Sequence, residues 1–362
     1  MGRRVGTRKG RGAVGNPEGR FETTRLAPGD YGWALGDEED TPPPLQTTVT
    51  PEKTRTILSR NDSPDISFDR SINPYKGCEH GCVYCFARPT HSYLGLSPGL
   101  DFETKIFSKP DAAELLREEL RRPGYRCEVI ALGANTDPYQ PVERDLKITR
   151  SILEVLLEHG HPVGIVTKGS LVLRDLDLLA AMAARRLATV MISITTLDRS
   201  LARRMEPRAA SPERRLGTLR ALSEAGIPVG VLSSPMIPGL NDAELERILE
   251  AAASAGARTA GYVILRLPHE LQSIFAEWLE AHYPLRAAHV LNLVRETRGG
   301  KLYDSEFGQR MKGTGPYADL LRRRFETACR RLGLSRNRMD LDTTQFRVPP
   351  RAGDQPGLFD RA

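Results

Sequence analysis

Residues 127–169, CEVIALGANTDPYQPVERDLKITRSILEVLLEHGHPVGIVTKG, read as strand, helix, strand. Two short apolar runs, CEVIALGA and PVGIVTKG, bracket the helical pattern DLKITRSILEVLLEHG. Continuous Val, Ile and Leu runs joined through a helix are what buried parallel strands look like, because both faces of such a strand are covered. The same alternation recurs on either side. SINPYKG (71–77) comes before it; ATVMISITT (188–196), PVGVLSSPMIPG (228–239) and RTAGYVILRL (258–267) follow, each with a helical pattern after it. Repeated strand-helix units in one sheet cross over right-handedly and curl the sheet toward a barrel. Six units are fewer than the eight of a closed barrel. The fold expected is therefore α/β: an open, partial (β/α)6 barrel of TIM type, with ligands at the C-terminal strand ends.

The flanks read differently. Residues 1–60 are rich in Gly, Pro, Thr and charge and have no sustained apolar period, so they read as a disordered extension, with order beginning near Ile66. The barrel domain is expected over 61–300, a helical C-terminal extension over 301–340 and a flexible tail over 341–362. The formal charge of +6 sits at the ends: residues 1–20 carry net +5 and residues 321–338 net +6, leaving −5 elsewhere. Basic ends suit phosphate contacts, although a solvated face is the ordinary use of such charge. No apolar run reaches membrane-spanning length, which points to a cytoplasmic protein without membrane association.

Five cysteines, Cys78, Cys82, Cys85, Cys127 and Cys329, are an odd number, and three crowd into eight residues. That is a poor disulfide framework and a better metal site. In GCEHGCVYCFARP (77–89) the spacing is C-x3-C-x2-C, which lets three thiolates of one loop hold three corners of a 4Fe–4S cubane. Three ligands leave one iron open to a cofactor. The alternative is a structural zinc with His80 or His91 as fourth ligand, in a nucleic-acid-binding module without catalysis. Cys127 and Cys329 read as small buried residues.

At these residues the chain resembles the radical S-adenosylmethionine superfamily, whose hallmark is C-x3-C-x-aromatic-C, with Tyr84 as the aromatic. The flanking NPYKGCEHGCVYCFAR, GANTDPYQPVE, VTKGS, ISITT and SSPMIPGLND are similar to the subgroup that contains spore photoproduct lyase and relatives labelled DNA-repair photolyases. The resemblance implies a 4Fe–4S cluster on Cys78, Cys82 and Cys85, and S-adenosylmethionine split reductively to a 5′-deoxyadenosyl radical. It implies adenine contacts at Tyr84 and Phe86, and cofactor contacts at Asn135, Thr136, Asp137, Lys168, Ser193, Thr195, Met236 and Ile237. Asn135 and Asp137 before Pro138 are also ordinary turn formers, and Met236 an ordinary core residue. An external electron donor of flavodoxin or ferredoxin type is implied as well. Glu143, Glu206, Tyr139 and Tyr303 are undistinguished candidates for proton transfer.

One position departs from the pattern. Where spore photoproduct lyase carries a hydrogen-donating cysteine, alignment on the shared Asp-Pro gives Ala134, and Cys127 lies at the other end of that strand. The resemblance thus implies a radical enzyme acting on nucleic acid, by repair or modification, rather than the thymine-dimer reaction itself. A peptide or small metabolite is the alternative substrate. Two further features bear on partners: the Arg-rich LRRRFETACRRLGLSRNR (321–338) as a phosphate-binding face, and Gln355–Phe359, which is similar to a sliding-clamp docking tail with Pro356 interrupting it.

Overall fold

The computed structural model describes residues 7–21, 45–337 and 339–350. The clamp-like Gln355–Phe359 lies outside the described residues. Strands β1 (Thr48–Pro51), β2 (Leu58–Arg60), β3 (Arg70–Ile72) and β4 (Tyr75–Lys76) precede the cysteine loop. Helix α1 (Asp101–Thr104), strand β5 (Lys105–Ser108) and helix α2 (Ala112–Leu120) follow it. The chain then alternates: β6 (Ile130–Leu132), α3 (Glu143–Leu146) and α4 (Ile148–Glu158), β7 (Val163–Thr167), α5 (Leu176–Ala184), β8 (Ala188–Ser193), α6 (Arg199–Met205) and α7 (Pro212–Glu224). β9 (Val229–Met236), α8 (Leu245–Ser254), β10 (Thr259–Ile264), α9 (Leu271–His282), α10 (Pro284–Glu296) and α11 (Gly315–Leu332) complete it.

The main sheet has the order β10-β9-β8-β7-β6-β3-β2. Six neighbouring strands, β3 and β6 through β10, pair in parallel, and only β2 is antiparallel, at the edge. This is the open, partial barrel expected from the six units. β7 alternates buried and half-buried positions, with Val163 and Ile165 at 0% exposure, and α4 covers it with Ile152, Leu153, Val155 and Leu156. The open β10 edge is partly occupied: Ala260 N donates to Ser335 O (2.9 Å) and Ser335 N to Arg258 O (2.9 Å), which removes part of an exposed ladder. A small sheet, β1-β5-β4, flanks the first crossover.

A second core lies under the cysteine loop. Phe275, Trp278 and Leu279 of α9 and Val290 and Val294 of α10 pack with Val83, Tyr84, Ile237 and Leu265. The helical extension expected after residue 300 is α11, and it packs on α8: Arg324 pairs with Glu246, and Tyr317 donates to Asp242 (2.5 Å). On the helix Arg322 pairs with Asp319 and Arg331 with Glu250, and beyond it Arg336 pairs with Glu326, all at exposed positions. Cys329 sits in the main core at 1% exposure.

Part of the 1–60 extension is docked on the cysteine loop. Arg11–Val14 are buried, and Gly12 N and Ala13 N donate to the two carboxylate oxygens of Glu103 at 3.0 and 2.8 Å. Order therefore starts well before Ile66. A segment without apolar period can still be fixed when its backbone N–H groups find a buried acceptor.

Candidate active site

The cysteine loop is held mainly by backbone. Gly77 and Gly81 adopt φ of +79° and +66°, conformations open to glycine, and Cys78 N donates to Phe102 O (2.9 Å). Val83 N donates to Met205 O (2.9 Å), at the C-terminal end of α6. From within, the Arg88 guanidinium donates to Cys82 O, Gly81 O, Pro98 O and Gly99 O, and pairs with Glu103. Gln140 closes the other side, donating to Gly77 O (3.1 Å) and accepting from Glu79 N (2.9 Å).

Cys78, Cys82 and Cys85 all line one cavity of ≈ 330 Å³ at the C-terminal strand ends. All five cysteines are free. Burial pushes the Cys78 and Cys82 thiols well above the ordinary range, with the neighbouring carboxylates and thiols adding to it. Thiols so placed ionise only when a cation shares the site. Among the described residues no three His, Cys, Asp or Glu side chains are gathered as a single-ion site. His80 lines the cavity, its Nδ1 3.3 Å from Asp137 Oδ2. His91, the other zinc candidate, is fully buried against Phe102 with Nε2 2.9 Å from Lys105 O.

Asp137 ties three elements together. Its carboxylate accepts from Thr167 Oγ1 (2.6 Å), Lys168 N (2.7 Å) and Tyr139 N (2.9 Å). These donors and His80 hold it well below the usual carboxylate range although burial opposes them. Asn135, Lys168 and Ser193 also line the cavity, and Lys168 Nζ lies 5.8 Å from the centroid of the Tyr84 ring.

Four expected cofactor residues stand elsewhere. Thr136 is buried with its hydroxyl on Tyr75 O (2.9 Å), and Thr195 donates to Glu206 Oε1 (2.6 Å). Met236 and Ile237 are fully buried outside the cavity wall; Met236 O accepts from Leu265 N, and Ile237 N donates to Asn241 Oδ1 (2.6 Å). Tyr84 is on the wall, but its hydroxyl is bound to Glu206, whose other oxygen pairs with Arg215. Glu143 is likewise engaged, by Tyr75, Arg174 and Thr149 N. Phe86 lines the cavity at 45% exposure under the guanidinium of Arg266.

Several residues of this architecture carry no linear signal. Asn241 donates to Thr195 O (2.8 Å) and Pro235 O (2.9 Å), joining the ends of β8 and β9, yet in sequence it reads as a turn former. Arg88 could have been suspected, since an arginine inside the cysteine motif's flank is unlike a solvated charge; Glu103 and Arg266 could not.

The family profile of the Radical SAM superfamily matches residues 72–252, half of the chain. The chain belongs to the radical SAM superfamily. As a radical SAM enzyme it is related to uncharacterised proteins. One, of Mycobacterium tuberculosis, is 38% identical over 232 residues, 64% of this chain and 68% of that one. Another, of Methanocaldococcus jannaschii, is 31% identical over 173 residues, 48% and 62% of the two chains. Among solved structures, spore photoproduct lyase complexed with dinucleoside spore photoproduct shares the fold: TM-score 0.56 over 79% of this chain and 80% of that one, at 17% identity. Superfamily membership implies chemistry with S-adenosylmethionine and a 4Fe–4S cluster. No helix among the described residues is long and apolar enough to cross a membrane.

Proposed function

We propose that this radical SAM enzyme holds its cluster on Cys78, Cys82 and Cys85 and acts on nucleic acid, repairing or modifying a nucleotide. The observation that carries the reading is the convergence of the three thiols with Asn135, Lys168 and Ser193 on one cavity. When bound, a 4Fe–4S cluster with one open iron supplies the electron that splits S-adenosylmethionine to a 5′-deoxyadenosyl radical. Lys168 is the cation for the cofactor carboxylate, because no described carboxylate pairs with it and its ammonium stands over the Tyr84 ring at the cavity wall. Asn135 and Ser193 supply neutral hydrogen bonds beside it. The apolar part of the wall, Val166, Leu232 and Val263, keeps water from a reactive radical.

Nucleic acid is favoured by the fold shared with spore photoproduct lyase, solved with a dinucleoside. The lyase reaction itself is not proposed. Ala134 lines the cavity and offers no thiol hydrogen, while Cys127 precedes β6 at the far end of the strand. Reduction requires an external one-electron donor of flavodoxin or ferredoxin type.

The test is anaerobic: reconstitution with iron and sulfide, then S-adenosylmethionine and dithionite, with 5′-deoxyadenosine as the readout and Cys82→Ala as the control. The nucleoside should form in the wild type alone. A preparation that takes up no cluster and instead retains one zinc overturns the assignment in favour of a zinc-stabilised binding module.

A further inference from the structure

Arg266 follows β10 by two residues and lines the cavity from the open edge of the sheet. Its guanidinium carbon lies 5.3 Å from the centroid of the Phe86 ring, so one face is stacked and the N–H edge is left to bind. Its hydrogen bonding is poor. Nη1 reaches only the sulfur of Met311 (3.3 Å), a weak acceptor, and the buried Nε has no partner. Among the described residues no carboxylate pairs with it. Asp65 is near enough to feel its charge, but that carboxylate already accepts from Arg310 Nε (2.5 Å) and Gly308 N (2.6 Å).

A second cation stands behind the first. Arg298 is 2% exposed and donates only to the carbonyls of Gln309, Ile264 and Leu265, with Nε again without a partner. Burial, and then the charge of Arg266, push the Arg298 guanidinium down to about 10. Asp304 acts on Arg298 and Asp65 on Arg266 only at a distance, and among the described residues neither guanidinium forms an ion pair, which leaves room for an anion between them.

We propose that Arg266 is the anion-binding residue of this cavity and that it takes a phosphate group of the substrate. The site rests on the geometry; the identity of the anion rests on the nucleic-acid reading above. A guanidinium fork suits phosphate oxygens, and Phe86 and Met311 hold its plane fixed before the ligand arrives. Arg266 and the cofactor cation come from different strand ends. Lys168 follows β7, three strands from β10 in the order β10-β9-β8-β7, at most roughly 14 Å along the sheet at about 4.8 Å per strand. The two cations therefore address two different anions, with the phosphate at the open edge where a large substrate enters.

The test measures binding by the reconstituted protein, not turnover. A labelled ten-nucleotide single strand is titrated by anisotropy across a salt series against wild type, Arg266→Gln and Arg266→Lys, with Arg117→Gln of α2, paired with Glu158, as control. Arg266→Gln should bind about 10-fold or more weakly and lower the salt slope by about 0.7, the share of one phosphate on a single strand. Arg266→Lys, which keeps the charge and loses the fork, should keep the slope and lose part of the affinity. Arg117→Gln should match wild type. Equal affinity and slope in wild type and Arg266→Gln overturn the proposal. A second arm titrates inorganic phosphate by thermal shift. If oligonucleotides fail to bind wild type but phosphate stabilises it and not Arg266→Gln, the anion site stands and the nucleic-acid reading falls. If Arg266→Gln instead loses S-adenosylmethionine binding by calorimetry while phosphate still binds, the residue belongs to the cofactor carboxylate and the proposal is wrong.

Discussion

Arg88 and Glu103 form an ion pair closed to solvent: Nη2 lies 2.5 Å from Oε1 and both side chains are 0% exposed. Around it converge the cysteine loop, through Gly81 O and Cys82 O, and the N-terminal segment, through Gly12 N and Ala13 N. Breaking such a pair from one side strands a buried charge. Arg88→Met should cost about 3–5 kcal/mol, read by chemical denaturation, and should lower the iron bound per chain. A double variant that also neutralises Glu103 should recover part of that cost; an equal or larger loss would show that the ion pair is not what holds the loop.

The N-terminal segment gives a sharper probe. A Cβ on Gly12 would meet Gly81 O at 1.8 Å, inside the cysteine loop. Gly12→Val should therefore lift the segment from Glu103, at about 1–3 kcal/mol for the overpacking. Hydrogen exchange at the Gly12 and Ala13 amides should rise strongly, since both donate to Glu103 in the wild type. Unchanged protection there would mean that the segment is not docked.

Tyr84→Phe separates two uses of the aromatic residue in the cysteine motif. The ring lines the cavity while the hydroxyl is buried on Glu206. Removing the hydroxyl should destabilise by about 1–3 kcal/mol and leave the affinity for S-adenosylmethionine within a few fold. A large loss of cofactor affinity without loss of stability would give the hydroxyl to the cofactor instead.

His161 should set part of the acid sensitivity. It is fully buried, with Nε2 2.8 Å from Tyr125 Oη, and burial pushes its imidazole from 6.5 to about 4. The unfolded chain takes up the proton near pH 6.5 and the folded protein only near pH 4, so protons favour the unfolded state between them. Its contribution is complete above about pH 6.5 and falls by roughly 3 kcal/mol as the pH drops to 4. In His161→Gln the slope of stability against pH across that window should shrink by about one proton; a slope equal to the wild type's would rule this histidine out.

Of the six parallel strands, β6 through β10 were legible as largely apolar runs beside helical patterns, as burial on both faces requires, whereas β3, Arg-Ser-Ile, was legible only from its place at the head of the alternation. The cysteine loop was legible because ligand spacing on a single short loop is a local property. The cofactor residues were less so: strand ends could be located, but which side chain faces the cavity depends on what its neighbours need. Thr195 and Thr136 turn away because buried Glu206 and the Tyr75 carbonyl require a donor, and Met236 and Ile237 are fully buried in the cores beneath the cavity.

The sequence by itself determined the α/β alternation and the cysteine loop, since apolar periodicity and cysteine spacing act over a few residues. Only the tertiary structure decided that Arg11–Val14 are buried, that Arg88 meets Glu103, and that Arg266 stands over Phe86. Those pairings join residues from 15 to 180 positions apart, and unpaired polar groups find their partners only once packing has excluded water.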